Sequence, residues 1–243
     1  MKTGHANILV CEDEKAAGRE AAERFACLAI RAVALRGAFY VAVPGGTSPR
    51  GMFEMLASHE FVDVIPWSRI EIFFTDERCV PPESEDSNFR LVHNLLLSSV
   101  PVPEQNMHRF CAEYPPEVAA EEYEKELREV MGHQPRFDLI VLGMGKDTHT
   151  ASLFPGSPAL DERERLAVSH YVKQLNTCRL TLTLPVLNNA ENVMILAFGE
   201  EKSEPLTQVL LGETNIRLHP VQAIQPHNGH LLWIADQASA SRL

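Results

Sequence analysis

Phe137-Asp138-Leu139-Ile140-Val141-Leu142-Gly143-Met144-Gly145-Lys146-Asp147-Thr148-His149 carries the reading of the fold. Phe137 to Leu142 is an apolar run of strand length, rich in Leu, Ile and Val, with one early Asp. It meets Gly143 and Gly145, which let the backbone turn sharply at a strand end. Beyond them Asp147 and His149 stand on a short loop expected to be exposed. In open α/β sheets ligands collect outside the carboxyl ends of strands, so a carboxylate and an imidazole here are well placed for catalysis. A Gly-rich turn whose Asp and His merely cap backbone groups would read the same way locally.

Working outward, the chain alternates strands and helices. Glu12 to Leu35 repeats apolar residues at helical spacing, and Gly37 is a natural stop. Phe39-Tyr40-Val41-Ala42-Val43 reads as a short buried strand. Pro44-Gly45-Gly46-Thr47-Ser48-Pro49-Arg50 then opens a helix through Leu56, with Ser48 as the expected N-cap and Pro49 at the first helical position. Ile70 to Thr75 is the next strand and leads into Asp76-Glu77-Arg78. Helical patterns cover Asn88 to Leu97 and Pro115 to Met131. Leu166 to Leu184 reads as a pair of strands, of which Arg179 to Leu184 alternates strictly. Asn192 to Phe198 is a continuous apolar strand, Gly199-Glu200-Glu201-Lys202 turns it into a helix ending near Gly212, and His230 to Ala235 is the last strand. This order predicts an α/β fold: a mainly parallel sheet flanked by helices on both faces, in one domain spanning 1–243.

Composition narrows the function. The chain has 243 residues, of which 45% are hydrophobic and 23% charged, ordinary values for a globular protein with a sizeable core. A formal charge of -11 argues against nucleic acid or an anionic membrane as partner. A small anionic substrate stays compatible if cations gather locally. Five widely spaced cysteines without a Cys-x-x-Cys pair fit reduced cytosolic thiols better than a disulfide framework or a zinc site. Met1 to His5 leads to no long apolar segment, so a cytoplasmic protein without signal peptide or membrane span is expected.

Several motifs carry chemistry, each with a plainer reading beside it. Gly45-Gly46-Thr47-Ser48, between a strand and a helix, offers backbone N–H groups to an anion, or is an ordinary turn. It lacks the Gly-Lys-[Ser/Thr] of a Walker loop, and Gly143-Met144-Gly145 lacks the third glycine of a dinucleotide fingerprint, so no nucleotide cofactor is expected. Arg50, Arg78, Arg179 and Lys202 lie near strand or helix ends. Singly each is a solvated charge; together they would make a phosphate pocket. No Gly-x-Ser-x-Gly elbow and no His-Glu-x-x-His metal motif occurs, and His227 and His230 flank a turn-like Asn-Gly. General acid–base chemistry by Asp147 and His149, without metal, cofactor or covalent intermediate, is what remains.

Three segments together resemble a known family: Pro44 to Pro49, Thr75 to Pro81 with Ser87-Asn88 downstream, and Gly143 to Asp147 through Phe154-Pro155-Gly156. Arg179 to Thr183 and Gly199 to Lys202 extend the likeness over nearly the whole chain. In this order they look like the 6-phosphogluconolactonases, which share a fold with glucosamine-6-phosphate deaminases. The resemblance implies hydrolysis of a sugar-phosphate lactone, 6-phospho-D-glucono-1,5-lactone, by a monomer or weak homodimer. It implies His149 as general base. The chemistry of lactone opening adds Asp147 to orient the imidazole and Arg78 or backbone N–H groups of the glycine turns as oxyanion donors. Gly45, Gly46, Gly145 and Asp76 are expected among the substrate- and phosphate-binding residues. Ser48, Arg78, Arg179 and Lys202 would surround phosphate and hydroxyls, and Asn88 would brace the Asp76 loop.

One position departs from the pattern, with Thr148 where the family usually has Gly. If that site needs a positive φ, a β-branched residue is costly there. The rival deaminase resemblance is weaker, because that group reads Asp-Glu-Tyr where this chain has Asp76-Glu77-Arg78, and Asn-Glu-Pro in place of Phe154-Pro155-Gly156. A sugar-phosphate sensor without turnover is the third reading, favoured only by Thr148.

Overall fold

The computed structural model describes residues 7–243, so the reading of Met1–His5 lies outside it. The strands in chain order are β1 (Ile8–Cys11), β2 (Phe39–Val43), β3 (Ile70–Phe74), β4 (Asp76–Arg78) and β5 (Met107–His108). They continue as β6 (Leu139–Gly143), β7 (Ala167–Val172), β8 (Thr177–Leu182), β9 (Asn192–Ala197) and β10 (His230–Asp236). The helices are α1 (Glu14–Arg36), α2 (Arg50–Leu56), α3 (His59–Val62), α4 (Asn88–Leu95), α5 (Pro116–Met131), α6 (Leu184–Leu187) and α7 (Ser203–Leu211). Seven strands form one sheet in the order β1-β10-β9-β6-β2-β3-β5, and every neighbouring pair is parallel. Strands β4, β8 and β7 form a small antiparallel sheet.

The parallel sheet follows from the apolar runs. Leu139, Ile140, Val141 and Leu142 of β6 are each at most 1% exposed. Successive strand residues point to opposite faces, so burial of all four means that both faces are covered. The early Asp138 has its own use: its carboxylate accepts from the Tyr40 N–H at 2.9 Å and pairs with Arg36. Helix α1 is capped at both ends: Gly37 is the stop expected from the sequence, while the start falls at Glu14 rather than Glu12. Asp13 accepts from the Ala16 N–H at 2.7 Å, and Gly37 takes φ 83° to close the C-terminus. Its buried alanines and Phe25 face the core, where Phe25 meets Phe39 edge-on at 5.4 Å.

Local differences from the sequence reading have physical causes. The run expected as one strand to Thr75 divides there. Thr75 N–H donates to Val43 O at 3.0 Å, while its carbonyl accepts from Leu182 N–H at 2.8 Å. Thr75 therefore hands the chain from the parallel sheet to the antiparallel one. Ser48 is not the N-cap of α2: the helix starts at Arg50, Pro49 holds the cap position, and no side chain caps it. Strands β1 and β5 escape the sequence reading, being only four and two residues long. Because β5 is so short, the end of β3 is closed by a side chain. The Tyr123 hydroxyl donates to Phe74 O at 2.9 Å and accepts from Phe74 N–H at 2.8 Å.

Candidate active site

Strand order places the site. From β2 the chain moves to β3 and β5 on one side; from β6 it moves to β9 and β10 on the other. Strands β2 and β6 are neighbours, with Val41 opposite Leu139 and Ala42 opposite Ile140. Their carboxyl ends thus flank the point where the winding reverses, where open α/β sheets leave a crevice. A cavity of about 280 Å³ lies there. Its walls include Gly45, Gly46 and Ser48 after β2, Asp76 and Arg78 of β4, and Asn88. Gly145 and His149 after β6, and Lys202 after β9, complete it. A wider groove of about 600 Å³ runs along α5, where Glu124 pairs with Arg128 and Arg165.

The turn after β6 is built around its own bonds. Gly145 N–H donates to His149 O at 2.8 Å, and Thr148 N–H donates to Gly145 O at 3.0 Å. A Cβ on Gly145 would stand 2.1 Å from His149 Nδ1, so only glycine leaves room for the ring. His149 Nδ1 lies 2.5 Å from Asp147 Oδ1, and its ring stacks on Phe154 at 4.4 Å. A carboxylate accepts only, so Nδ1 carries a proton, and in the neutral ring the lone pair is then on Nε2. Burial works against the Asp147 charge, but the hydrogen bond and charge of His149 outweigh it and hold the carboxyl below its usual range. Thr148 has φ 65° and is 2% exposed, so this position does require the left-handed conformation. A side chain there costs about 1–2 kcal/mol over glycine.

The turn after β2 has the opposite character. Among the described residues, the N–H groups of Gly45, Gly46, Thr47 and Ser48 donate to no backbone acceptor. Gly45 passes so close to Asn88 that a Cβ would lie 1.7 Å from Asn88 Oδ1. Asn88 Nδ2 donates to Asp76 O at 2.8 Å, while its buried Oδ1, packed against Gly45, has no hydrogen-bond partner. Asp76 is itself held: Thr75 Oγ1 donates to one carboxylate oxygen at 2.9 Å and Ser152 Oγ to the other at 2.8 Å.

The cations separate into three groups. Arg78 and Lys202 reach the cavity wall. Lys202 is 8% exposed; burial, seconded by the charge of Lys146 and opposed by Glu201 and Asp147, pulls its ammonium below the ordinary lysine range. Arg179 does not border the cavity. It stands across the strand pair from Arg78, and its guanidinium donates to Cys178 O at 3.1 Å and Thr177 Oγ1 at 3.3 Å. Arg50 is exposed on α2, outside the wall.

Sequence reasoning passed over the residues that support these groups. Glu77, 3% exposed, accepts from the N–H groups of Asn88 at 2.7 Å and Phe89 at 2.8 Å, and from Ser87 Oγ at 3.1 Å. It thereby ties the start of α4 to β4, at a cost: burial pushes its carboxyl up despite these bonds. Ser152, besides serving Asp76, accepts at its carbonyl from His170 Nε2 at 2.7 Å. These are contacts between residues far apart in the chain, and no local pattern announces them.

The chain is similar to known proteins. The family model described as glucosamine-6-phosphate isomerases/6-phosphogluconolactonase matches residues 12–233. This chain belongs to that family. A 6-phosphogluconolactonase of Synechocystis sp. is 38% identical over 218 residues, covering 88% of either chain. A human 6-phosphogluconolactonase is 38% identical over 231 residues, 91% of this chain and 86% of its own. The structure of 6-phosphogluconolactonase from Thermotoga maritima superimposes with a TM-score of 0.79 at 28% identity, over 95% of this chain and 99% of that one. The family match spans both turns around the cavity and the Lys202 segment after β9. No helix among the described residues is long and apolar enough to cross a membrane.

Proposed function

We propose that the cavity hydrolyses 6-phospho-D-glucono-1,5-lactone to 6-phospho-D-gluconate, with His149 as general base. The observation that carries this reading is His149 on the cavity wall, its Nδ1 held by Asp147 from behind, in one cavity with the Gly45–Ser48 turn, Arg78 and Lys202. A δ-lactone is an activated ester, so a water molecule can attack C1 directly once its proton has somewhere to go. His149 Nε2 takes that proton while Asp147 fixes the tautomer and balances the imidazolium. The oxygen of the former carbonyl becomes an oxyanion, for which Arg78 is the donor at hand, since Gly145 N–H is spent on His149 O. When the C1–ring-oxygen bond breaks, the imidazolium returns its proton to the ring oxygen. The product acid then ionises in solution.

The phosphate is assigned to the Lys202 ammonium and the N–H groups of Gly45 to Ser48, with the Ser48 hydroxyl beside them. The Asp76 carboxylate, on the cavity wall, is an acceptor suited to sugar hydroxyls. Arg179 acts one layer back, holding positive charge behind Arg78. The test is hydrolysis of freshly generated 6-phosphogluconolactone, corrected for spontaneous opening, beside the unphosphorylated lactone. Rapid turnover of the phosphorylated lactone alone is expected. Equal rates on both would undo the phosphate assignment, and no rate above background would undo the reading itself.

A further inference from the structure

The base is carried on a turn that this chain holds in a costly conformation. Thr148 sits between Asp147 and His149, with φ 65° and 2% of its surface exposed. Nothing within the turn requires a threonine. The loop from 213 to 223, which carries none of the expected site residues, supplies what holds it. The Thr148 hydroxyl lies 2.6 Å from Asp147 O and 3.2 Å from His219 Nδ1. Leu218 O, at 3.4 Å, is a second acceptor beside it. With the hydroxyl proton on the closer Asp147 carbonyl, the tautomer that carries hydrogen on Nδ1 lets His219 donate to Thr148 Oγ1. Val221 N–H donates to Thr148 O at 3.1 Å, and Gly156 N–H donates to Arg217 O at 2.9 Å, so the loop grips the catalytic segment near both ends.

The loop is itself braced. His219 N–H donates to Asn215 O at 2.7 Å, and Gln222 Oε1 accepts from Asn215 N–H at 2.7 Å. Gln222 Nε2 reaches back to Val209 O at 3.1 Å, at the end of α7. A hydrogen-bonded loop therefore stands against the strained residue. We propose that His219 is a positioning residue: by anchoring the Thr148 hydroxyl it keeps Asp147 and His149 aimed at the cavity. The inference rests on the proposed role of His149 as base.

A double-mutant cycle tests it. With Thr148 present, His219→Ala should lower kcat about tenfold while KM stays within about twofold, less than the ~100-fold that a 1 Å misplacement can cost. His219→Asn, whose Nδ2 can donate from the place of Nδ1, should recover most of the rate. On a Thr148→Gly background, which needs no anchor, His219→Ala should change kcat by less than about twofold. An equal loss on both backgrounds would reduce His219 to general support of the loop, and no loss with Thr148 present would remove it; either result overturns the proposal. Nitrogen-15 NMR of the His149 ring gives a readout without turnover: His219→Ala should shift or broaden its signals with Thr148 present and leave them in place on the Thr148→Gly background. A protein that fails to open the lactone would still show that pattern, which separates this inference from the proposed function.

Discussion

Two strand ends face each other across the cavity and are made in opposite ways. After β6, Gly143 to Thr150 spends its polar groups on itself: Gly145 on His149, Thr148 on Gly145, Thr150 Oγ1 on Gly143 O at 2.8 Å. After β2, Gly45 to Ser48 keeps its N–H groups free of backbone acceptors among the described residues. The self-satisfied turn has little left to give a ligand, but it fixes one imidazole; the unsatisfied turn fixes no reactive group but has donors for an anion. Chemistry and binding are thus placed on separate strands. Substitutions on the β6 side should lower kcat, and those on the anion side should raise KM.

His149→Ala is the strongest attempt to break this division. Loss of a general base should lower kcat by about 10²–10⁴-fold with KM nearly unchanged. A risen KM at preserved kcat would mean the imidazole binds rather than reacts, and the two turns would not differ in kind. Gly145→Ala keeps every functional group and alters only space. Its Cβ would lie 2.1 Å from Nδ1, so the ring must move, and kcat should fall about 100-fold in steady-state assays. Across the cavity, Lys202→Met keeps the length and removes the charge. A charge-assisted hydrogen bond is worth ~1.5–3 kcal/mol, so KM should rise about 10–100-fold with kcat largely kept. If Lys202→Met lowered kcat instead, the ammonium would belong to the oxyanion rather than to the phosphate.

The same contrast explains what could be read from the sequence. The parallel sheet was legible because β2, β3, β6 and β9 are short apolar runs between helical periods, and that signal is local. Both glycine turns were legible because their spacing after the strands is local too. The small antiparallel sheet was half legible: β7 and β8 show as a pair, but Asp76–Arg78 reads as the end of a strand until Thr75 divides its bonds between two sheets. Arg179 looked equivalent to Arg78 because cross-strand partners share a position type, and only the cavity wall tells them apart. Glu77, Ser152, His170 and His219 could not be found this way. Their roles come from tertiary contacts, and a buried acceptor or donor has no periodicity. Thr148 falls between these cases: the residue type signals strain if φ is positive, but the sign of φ is set by the turn as a whole.

The weakest effect separates the turns by acidity. Asp147 is held below its usual carboxyl range: burial opposes its charge, and the hydrogen bond and charge of His149 prevail. A carboxyl whose folded value is depressed stabilises the fold above its unfolded value, near ~3.9, and that contribution is lost as pH falls through the lower folded value. The side chain is 50% exposed, so solvent screens the pair and the contribution should stay within ~1 kcal/mol. Urea unfolding midpoints measured from pH 6 down to about 3 should therefore fall slightly more steeply for the unaltered chain than for Asp147→Asn. Gly45 to Ser48 contains no titratable side chain, so Gly45→Ala should lower the whole curve through its clash with Asn88 and leave the acid slope alone. Parallel slopes for Asp147→Asn and the unaltered chain would mean that the pair adds nothing to stability. The Asp147–His149 contact would then serve only to set the ring, and the difference between the two turns would be one of geometry alone.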